Sequence, residues 1–250
     1  MPPWPRRQGR RLGANAPVAL RAAVALGAAL VLGACAGPAP AAQASPSPNG
    51  SAAPASYANY TLHADTAAGY QLRLPTTWLV AVSDSRTIND DLAAISATNP
   101  DIGGYLTRAM AASVPTGLAL LGADPQSVSS GFTTNAAVFR IDLGPSSSAP
   151  DLGAITEGKL QALDKDSTIS GIIDERSVQL AGNDARRLFY VFKSGSRNVD
   201  VVTHLLVVDR DNHRIEYELT MGSEIAEYAQ LFDKIAASFW LGPFATPSPG

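Results

Sequence analysis

Tyr60-Thr-Leu-His-Ala64 and Tyr70-Gln-Leu-Arg-Leu74 place apolar side chains at every second position. That is the period of a strand with one covered face. Asp65-Thr-Ala-Ala-Gly69 between them supplies turn residues, so the pair predicts a hairpin. Pro75 stops the second strand, and Trp78 follows where a buried aromatic closes one end of a core. Residues 88–112 change to a helical spacing in two pieces, interrupted at Asn99-Pro100. Asn99 suits the cap and Pro100 the first turn, after which Ile102, Tyr105, Leu106, Ala109 and Met110 share a face. Strands are predicted at 117–122 and 135–142, a loop at Gly144–Pro150, and a helix at 151–165 with Leu152, Ile155, Leu160 and Leu163 inward.

Four further strands, near 170–180, 184–193, 198–208 and 213–221, are punctuated by Gly182-Asn183, Gly195-Ser196 and Asp209-Arg-Asp-Asn212. The segment 223–239 has the strongest helical period, with Ile225, Tyr228, Phe232, Ile235, Ala236 and Phe239 at three- and four-residue steps. Ser223 is its expected cap, and Glu224 and Glu227 suit the positive end of its dipole. Hairpins with interspersed helices predict an α+β fold, a mostly antiparallel sheet covered by helices.

The first 56 residues follow no such pattern. Residues 1–21 carry Arg6, Arg7, Arg10, Arg11 and Arg21 with no acidic residue, and 22–32 form an apolar run of eleven. That is the length of a signal-peptide core and too short to cross a bilayer. Leu32-Gly33-Ala34-Cys35 then resembles the lipobox of bacterial lipoproteins: leucine at −3, small residues at −2 and −1, and a cysteine to carry the lipid. Cys35 is the only cysteine in the chain, so a chance cysteine behind an ordinary signal peptide is the weaker alternative. Arg10-Arg11 is not followed by a twin-arginine consensus. The resemblance implies palmitate-type acylation of Cys35, with more than one chain, enough for stable attachment. Residues 36–56 are rich in Ala, Pro and Ser and lack large apolar side chains, as a disordered tether does. The expected organisation is a signal peptide over 1–34, lipidated cysteine and tether over 35–56, one globular domain over 57–244 and a short tail over 245–250.

Three stretches resemble the PsbP-like fold, an α/β/α sandwich that LpqN-type lipoproteins share. They are Gly69-Tyr-Gln-Leu-Arg-Leu-Pro-Thr-Thr-Trp78, Leu180-Ala-Gly-Asn-Asp-Ala-Arg-Arg-Leu188 and Phe232-Asp-Lys-Ile-Ala-Ala-Ser-Phe239. They hold packing and turn residues and no catalytic motif. The resemblance implies a fold, and a role in binding or assembly, more than any activity.

Composition narrows the function classes. Without the five leader arginines, 14 basic residues face 22 acidic ones, a net charge of −8 that disfavours nucleic acid. With Arg210-Asp211 taken as the turn of the 198–221 hairpin, Val208 pairs with His213 and His204 with Tyr217. His204 and His213 then share a face about 13 Å apart, too far for one metal. Leu206, Val208, Ile215, Tyr217 and Leu219 lie on the histidine side; Arg214, Glu216, Glu218 and Thr220 lie on the other, and His204 reads as a hydrogen-bonded core or rim residue. Asn89-Asp-Asp91, Asp164-Lys-Asp166 and Asp209–Asn212 fit turns and caps better than calcium loops. No nucleophile elbow or phosphate loop occurs, and no cofactor is expected. Arg186-Arg187 beside Leu188-Phe-Tyr-Val-Phe192 offers a small patch for an anionic ligand or a partner, but a strand covered on both faces explains the apolar run without function and is the preferred reading. The expectation is a non-enzymatic binding or assembly lipoprotein on the extracytoplasmic face of the cell membrane (or on an outer membrane). Its partner would be an envelope protein or an amphipathic molecule. An envelope hydrolase assembled from distant loops and a purely structural component are the alternatives.

Overall fold

The computed structural model describes residues 57–82, 88–113, 117–130 and 132–242. Strands β1 (Tyr60–Asp65), β2 (Tyr70–Pro75) and β3 (Leu79–Val82) are followed by helices α1 (Ile88–Thr98) and α2 (Pro100–Ser113). Then come β4 (Leu118–Ala123), a 3-10 turn at Pro125–Ser130, β5 (Asn135–Pro145) and α3 (Leu152–Lys165). The second half contains β6 (Ile169–Leu180), β7 (Asn183–Ser194), β8 (Arg197–Arg210), β9 (His213–Ser223), α4 (Tyr228–Ala237) and the two-residue β10 (Trp240–Leu241). A seven-stranded antiparallel sheet has the order β3-β4-β5-β9-β8-β7-β6, and a three-stranded one has the order β1-β2-β10. The fold is α+β, as the strand and helix periods predict.

Both faces of the large sheet are covered. On the first face, α1 and α2 bury Leu92, Ile102, Leu106 and Met110 against Leu118, Leu121, Ala137 and Phe139. On the same face α3 packs Leu152, Leu160 and Leu163 onto Leu188, Tyr190, Phe192 and Leu205. On the second face the small sheet brings Tyr70, Leu72 and Leu74, and α4 brings Phe232, Ile235 and Ala236, onto Leu206, Ile215, Tyr217, Leu219 and Met221. Each such large apolar side chain, fully buried, contributes about 1.5–3 kcal/mol. Tyr70, Tyr217 and Phe239 pack ring on ring, with centroids 6.0–6.4 Å apart, and the Tyr217 hydroxyl donates to the Ala68 carbonyl. Trp78 is buried in this core, where the sequence placed it. Helices thus cover both faces of the large sheet, as expected, and on the second face β-structure shares the cover with a single helix.

Three local expectations shift. The turn between β8 and β9 is Asp211-Asn212, both at positive φ (51° and 64°), rather than Arg210-Asp211. Arg210 therefore pairs with His213 and His204 with Leu219, so the partner moves by two residues and every side chain keeps its face. The β6–β7 turn is Ala181-Gly182, one residue earlier than read, again with both at positive φ as a tight hairpin of this hand requires. The last helix begins at Tyr228, because β9 stays paired with β8 as far as Ser223. Ser223 caps no helix; its hydroxyl accepts from Ile225 N–H and bonds Thr134, while Glu224 pairs with Arg197 at 2.8 Å. The break at Asn99 holds, but the Asn99 amide donates to the Thr98 hydroxyl.

Candidate functional site

Strand alternation separates the two arginines of the expected patch. Arg186 faces the α3 side, where its guanidinium donates to Ser177 Oγ at 2.6 Å and to Glu175 at 3.4 Å. Arg187 faces the α4 side. Cross-strand register sets Arg176 on β6 opposite Arg187 on β7, and Arg187 opposite His204 on β8. Three basic residues thus stand in one row across three neighbouring strands, spanning about 10 Å at the usual strand spacing.

Like charges facing each other directly are unfavourable, so the row needs compensation. Asp174 provides it through a single oxygen: its Oδ2 lies 3.3 Å from Arg187 Nη1 and 3.5 Å from Arg176 Nε. The Arg187 guanidinium also lies 5.8 Å from the Phe189 ring centroid. Where the row meets α4, Arg176, Arg187, His204, Asp233 and Ala236 line a pocket of about 250 Å³. Asp233 is exposed and forms no ion pair within 4 Å among the described residues.

His204 is only 5% exposed, and its Nδ1 has no hydrogen-bond partner among the described residues. The Arg187 Nε is likewise buried and unpaired. Burial, and then the nearby Arg187 and Arg176, push the His204 pKa down from 6.5 to about 4, so the ring is neutral at pH 7. Sequence reasoning placed His204 in the core and gave it a bond; the structure agrees on burial and leaves Nδ1 unsatisfied. Such an atom forgoes about 1–3 kcal/mol. His213 sits elsewhere, exposed and 3.0 Å from Asp142. Six residue steps along β8 separate its partner Arg210 from His204, about 20 Å, so the two histidines share no site.

A second polar cluster lies on the opposite face, beneath α3. Glu216 and Glu218 are 6% and 3% exposed, and Lys159 of α3 reaches down to donate to Glu218. Thr220 Oγ1 donates to Glu218 at 2.9 Å and bonds Thr203 at 2.9 Å; the Tyr190 hydroxyl continues the chain to Thr203 at 3.4 Å. Burial and the Glu218 charge raise the Glu216 pKa from 4.5 to about 7, against an opposing pull from Lys159. Burial lowers the Lys159 pKa, but Glu218 and Glu216 outweigh it and hold the ammonium charged. With Lys159 closed over it and its hydroxyls bonded to one another and to Glu218, the cluster ties helix to sheet. Beside it, Tyr105, Ala109, Phe139, Val201 and Thr220 border an apolar crevice with about 30 Å³ of free volume, room for about one water.

The remaining sequence-predicted site residues, Leu32, Gly33, Ala34 and Cys35, lie outside the described residues. No described helix is long and apolar enough to cross a membrane.

No family model and no curated protein matches the chain. Among solved structures, the chain is similar to PsbP-like proteins. The solution structure of cyanobacterial PsbP (CyanoP) from Synechocystis sp. PCC 6803 aligns with 77% of this chain and 98% of its own, at 16% identity and a TM-score of 0.44. The crystal structure of LpqN, involved in cell envelope biogenesis of Mycobacterium tuberculosis, aligns with 74% of this chain and 92% of its own, at 12% identity and a TM-score of 0.48.

Proposed function

We propose that this chain is an extracytoplasmic lipoprotein, anchored through Cys35, that works by binding rather than by catalysis. Its binding site is the pocket between the seven-stranded sheet and α4. The observation that carries this reading is the row of Arg176, Arg187 and His204 lining a pocket of about 250 Å³, with a single Asp174 oxygen as the one carboxylate within 4 Å of the two guanidiniums among the described residues. Two guanidiniums at one concave site with so little acid against them mark a place where a ligand completes the bonding. The address rests on the basic leader, the eleven-residue apolar run and Leu32-Gly-Ala-Cys35. A mature net charge of −8 keeps nucleic acid off the list of partners.

The experiment has two arms. Cys35→Ser should move the protein from the membrane to the soluble fraction and abolish incorporation of labelled palmitate; membrane retention at the wild-type level would overturn the anchor. Native mass spectrometry of full-length protein extracted from its own membranes should show a bound small molecule that Arg187→Gln loses. A wild-type protein with no bound mass, or a variant with the same one, would overturn the pocket.

A further inference from the structure

We infer that the pocket between the sheet and α4 takes the carboxylate or phosphate group of a small organic anion, held by Arg187 and His204 with Arg176 at its rim. This rests on the reading of that pocket as the binding site and names the class of its ligand.

The donor balance argues for an anion. A guanidinium donates from all its nitrogens and accepts nothing, so only acceptors can satisfy the Arg176 and Arg187 groups that line the pocket and remain partly exposed. His204 lines the same pocket and brings no negative charge to compete for them. Two guanidiniums share one oxygen of Asp174, which leaves most of their donors directed elsewhere. An oxyanion with two or three acceptor atoms supplies what the row lacks, and guanidinium binds carboxylate and phosphate with matched geometry.

Size and charge at the mouth restrict the ligand further. About 250 Å³ lies below the range for drug-sized ligands, so the guest is a small acid. Asp233 stands on the α4 side of the same pocket and opposes a second negative charge there. The guest therefore enters anion first, with a neutral or cationic remainder toward α4.

Binding is also linked to protons. The charged groups facing His204 are Arg187 on β7, Arg176 on β6 and Asp233 on α4, with Asp174 behind the arginines; its neighbour on β9 is the apolar Leu219. A bound anion offsets the two arginines that help hold the imidazole neutral, so the His204 pKa rises from about 4 on binding. Affinity then increases as pH falls from 7 toward 5.

The test uses the full-length protein in detergent with nitrogen-labelled histidine. The chain has three histidines, His63, His204 and His213, so the imidazole spectrum is readily assigned. Inorganic phosphate and propionate, a carboxylate with a neutral remainder, are titrated separately. The expected result is a saturable shift of the His204 nitrogens with at least one of the two, and whichever acts identifies the group bound. Arg187→Gln should weaken binding about tenfold, a change of one decade in the dissociation constant, while Arg187→Lys retains part of it. Asp233→Asn, at an exposed position, should tighten it. Absence of a saturable His204 response to both anions overturns the inference, as does unchanged affinity in Arg187→Gln or in Asp233→Asn. If instead a neutral co-purified molecule perturbs His204 while neither anion does, the pocket remains a binding site and its anionic character is refuted.

Discussion

Replacing Glu216 by glutamine removes a carboxyl whose burial beneath α3 makes stability depend on pH. In the folded protein its pKa is about 7 against an ordinary 4.5, so the native state holds a proton that the unfolded chain releases in that window. The sign is the reverse of a salt-bridged acid. Stability contributed by this group is complete below pH 4.5, falls as pH rises, and is fully lost once pH passes 7. Converting that interval at 1.36 kcal/mol per pH unit gives a loss of about 3 kcal/mol between pH 4.5 and pH 8. Glutamine resembles the protonated acid in shape and hydrogen bonding and does not titrate. Urea unfolding at half-unit pH steps from 4.5 to 8.5, for wild type and Glu216→Gln, reads the difference directly. The two should agree near pH 4.5 and diverge until the variant is more stable by about 1–3 kcal/mol at pH 8, since relaxation absorbs part of the penalty. Curves that stay parallel across the range would refute the assignment of a buried, proton-holding Glu216.

Lys159→Met should destabilise the protein by about 3–5 kcal/mol at pH 8, because it strands Glu218 beside Glu216; adding Glu218→Gln should restore part of the loss in the same urea assay. Gly103→Ala should cost about 1–3 kcal/mol, since the added methyl would lie 2.4 Å from the Ser96 backbone where α2 crosses α1; a thermal midpoint equal to wild type would contradict that contact. His204→Leu should flatten acid destabilisation. With a folded pKa of about 4 against 6.5, the buried ring withdraws up to about 3 kcal/mol as pH falls through that interval, and the variant's stability between pH 6.5 and 4 tests it. Asp151→Ala should lower stability by about 0.5–2 kcal/mol, because the carboxylate caps α3 by accepting from Ala154 N–H.

Strand and helix periods predicted nearly every element, because alternation and the three-to-four spacing report local geometry directly. Turn positions were one residue off at Ala181-Gly182 and Asp211-Asn212, since Ala, Asp and Asn enter positive φ only where the hairpin twist demands it. The start of α4 was misplaced because Ser223 and Glu224 carry cap-like side chains while cross-strand pairing with Asp200 governs the backbone. The candidate site was visible only in part. Arg187 was singled out, but its neighbours Arg176 and Asp233 come from β6 and α4, and no local pattern joins segments so distant in sequence. The carboxylate cluster did leave a signal. Val201, Leu205 and Val207 in one phase of β8 and Val202, Leu206 and Val208 in the other mean that both faces are covered, so Glu216 and Glu218 opposite Val207 and Leu205 had to be buried.

The pocket beside His204 carries the proposed function, and diffraction from the protein isolated from its native membranes is its sharpest test. The map should show an ordered small molecule among Arg176, Arg187 and His204, with an acceptor oxygen about 2.7–3.2 Å from a guanidinium nitrogen of Arg187 or Arg176. Water alone in the pocket, or a side chain of the protein itself closing onto the guanidiniums, would overturn the proposal.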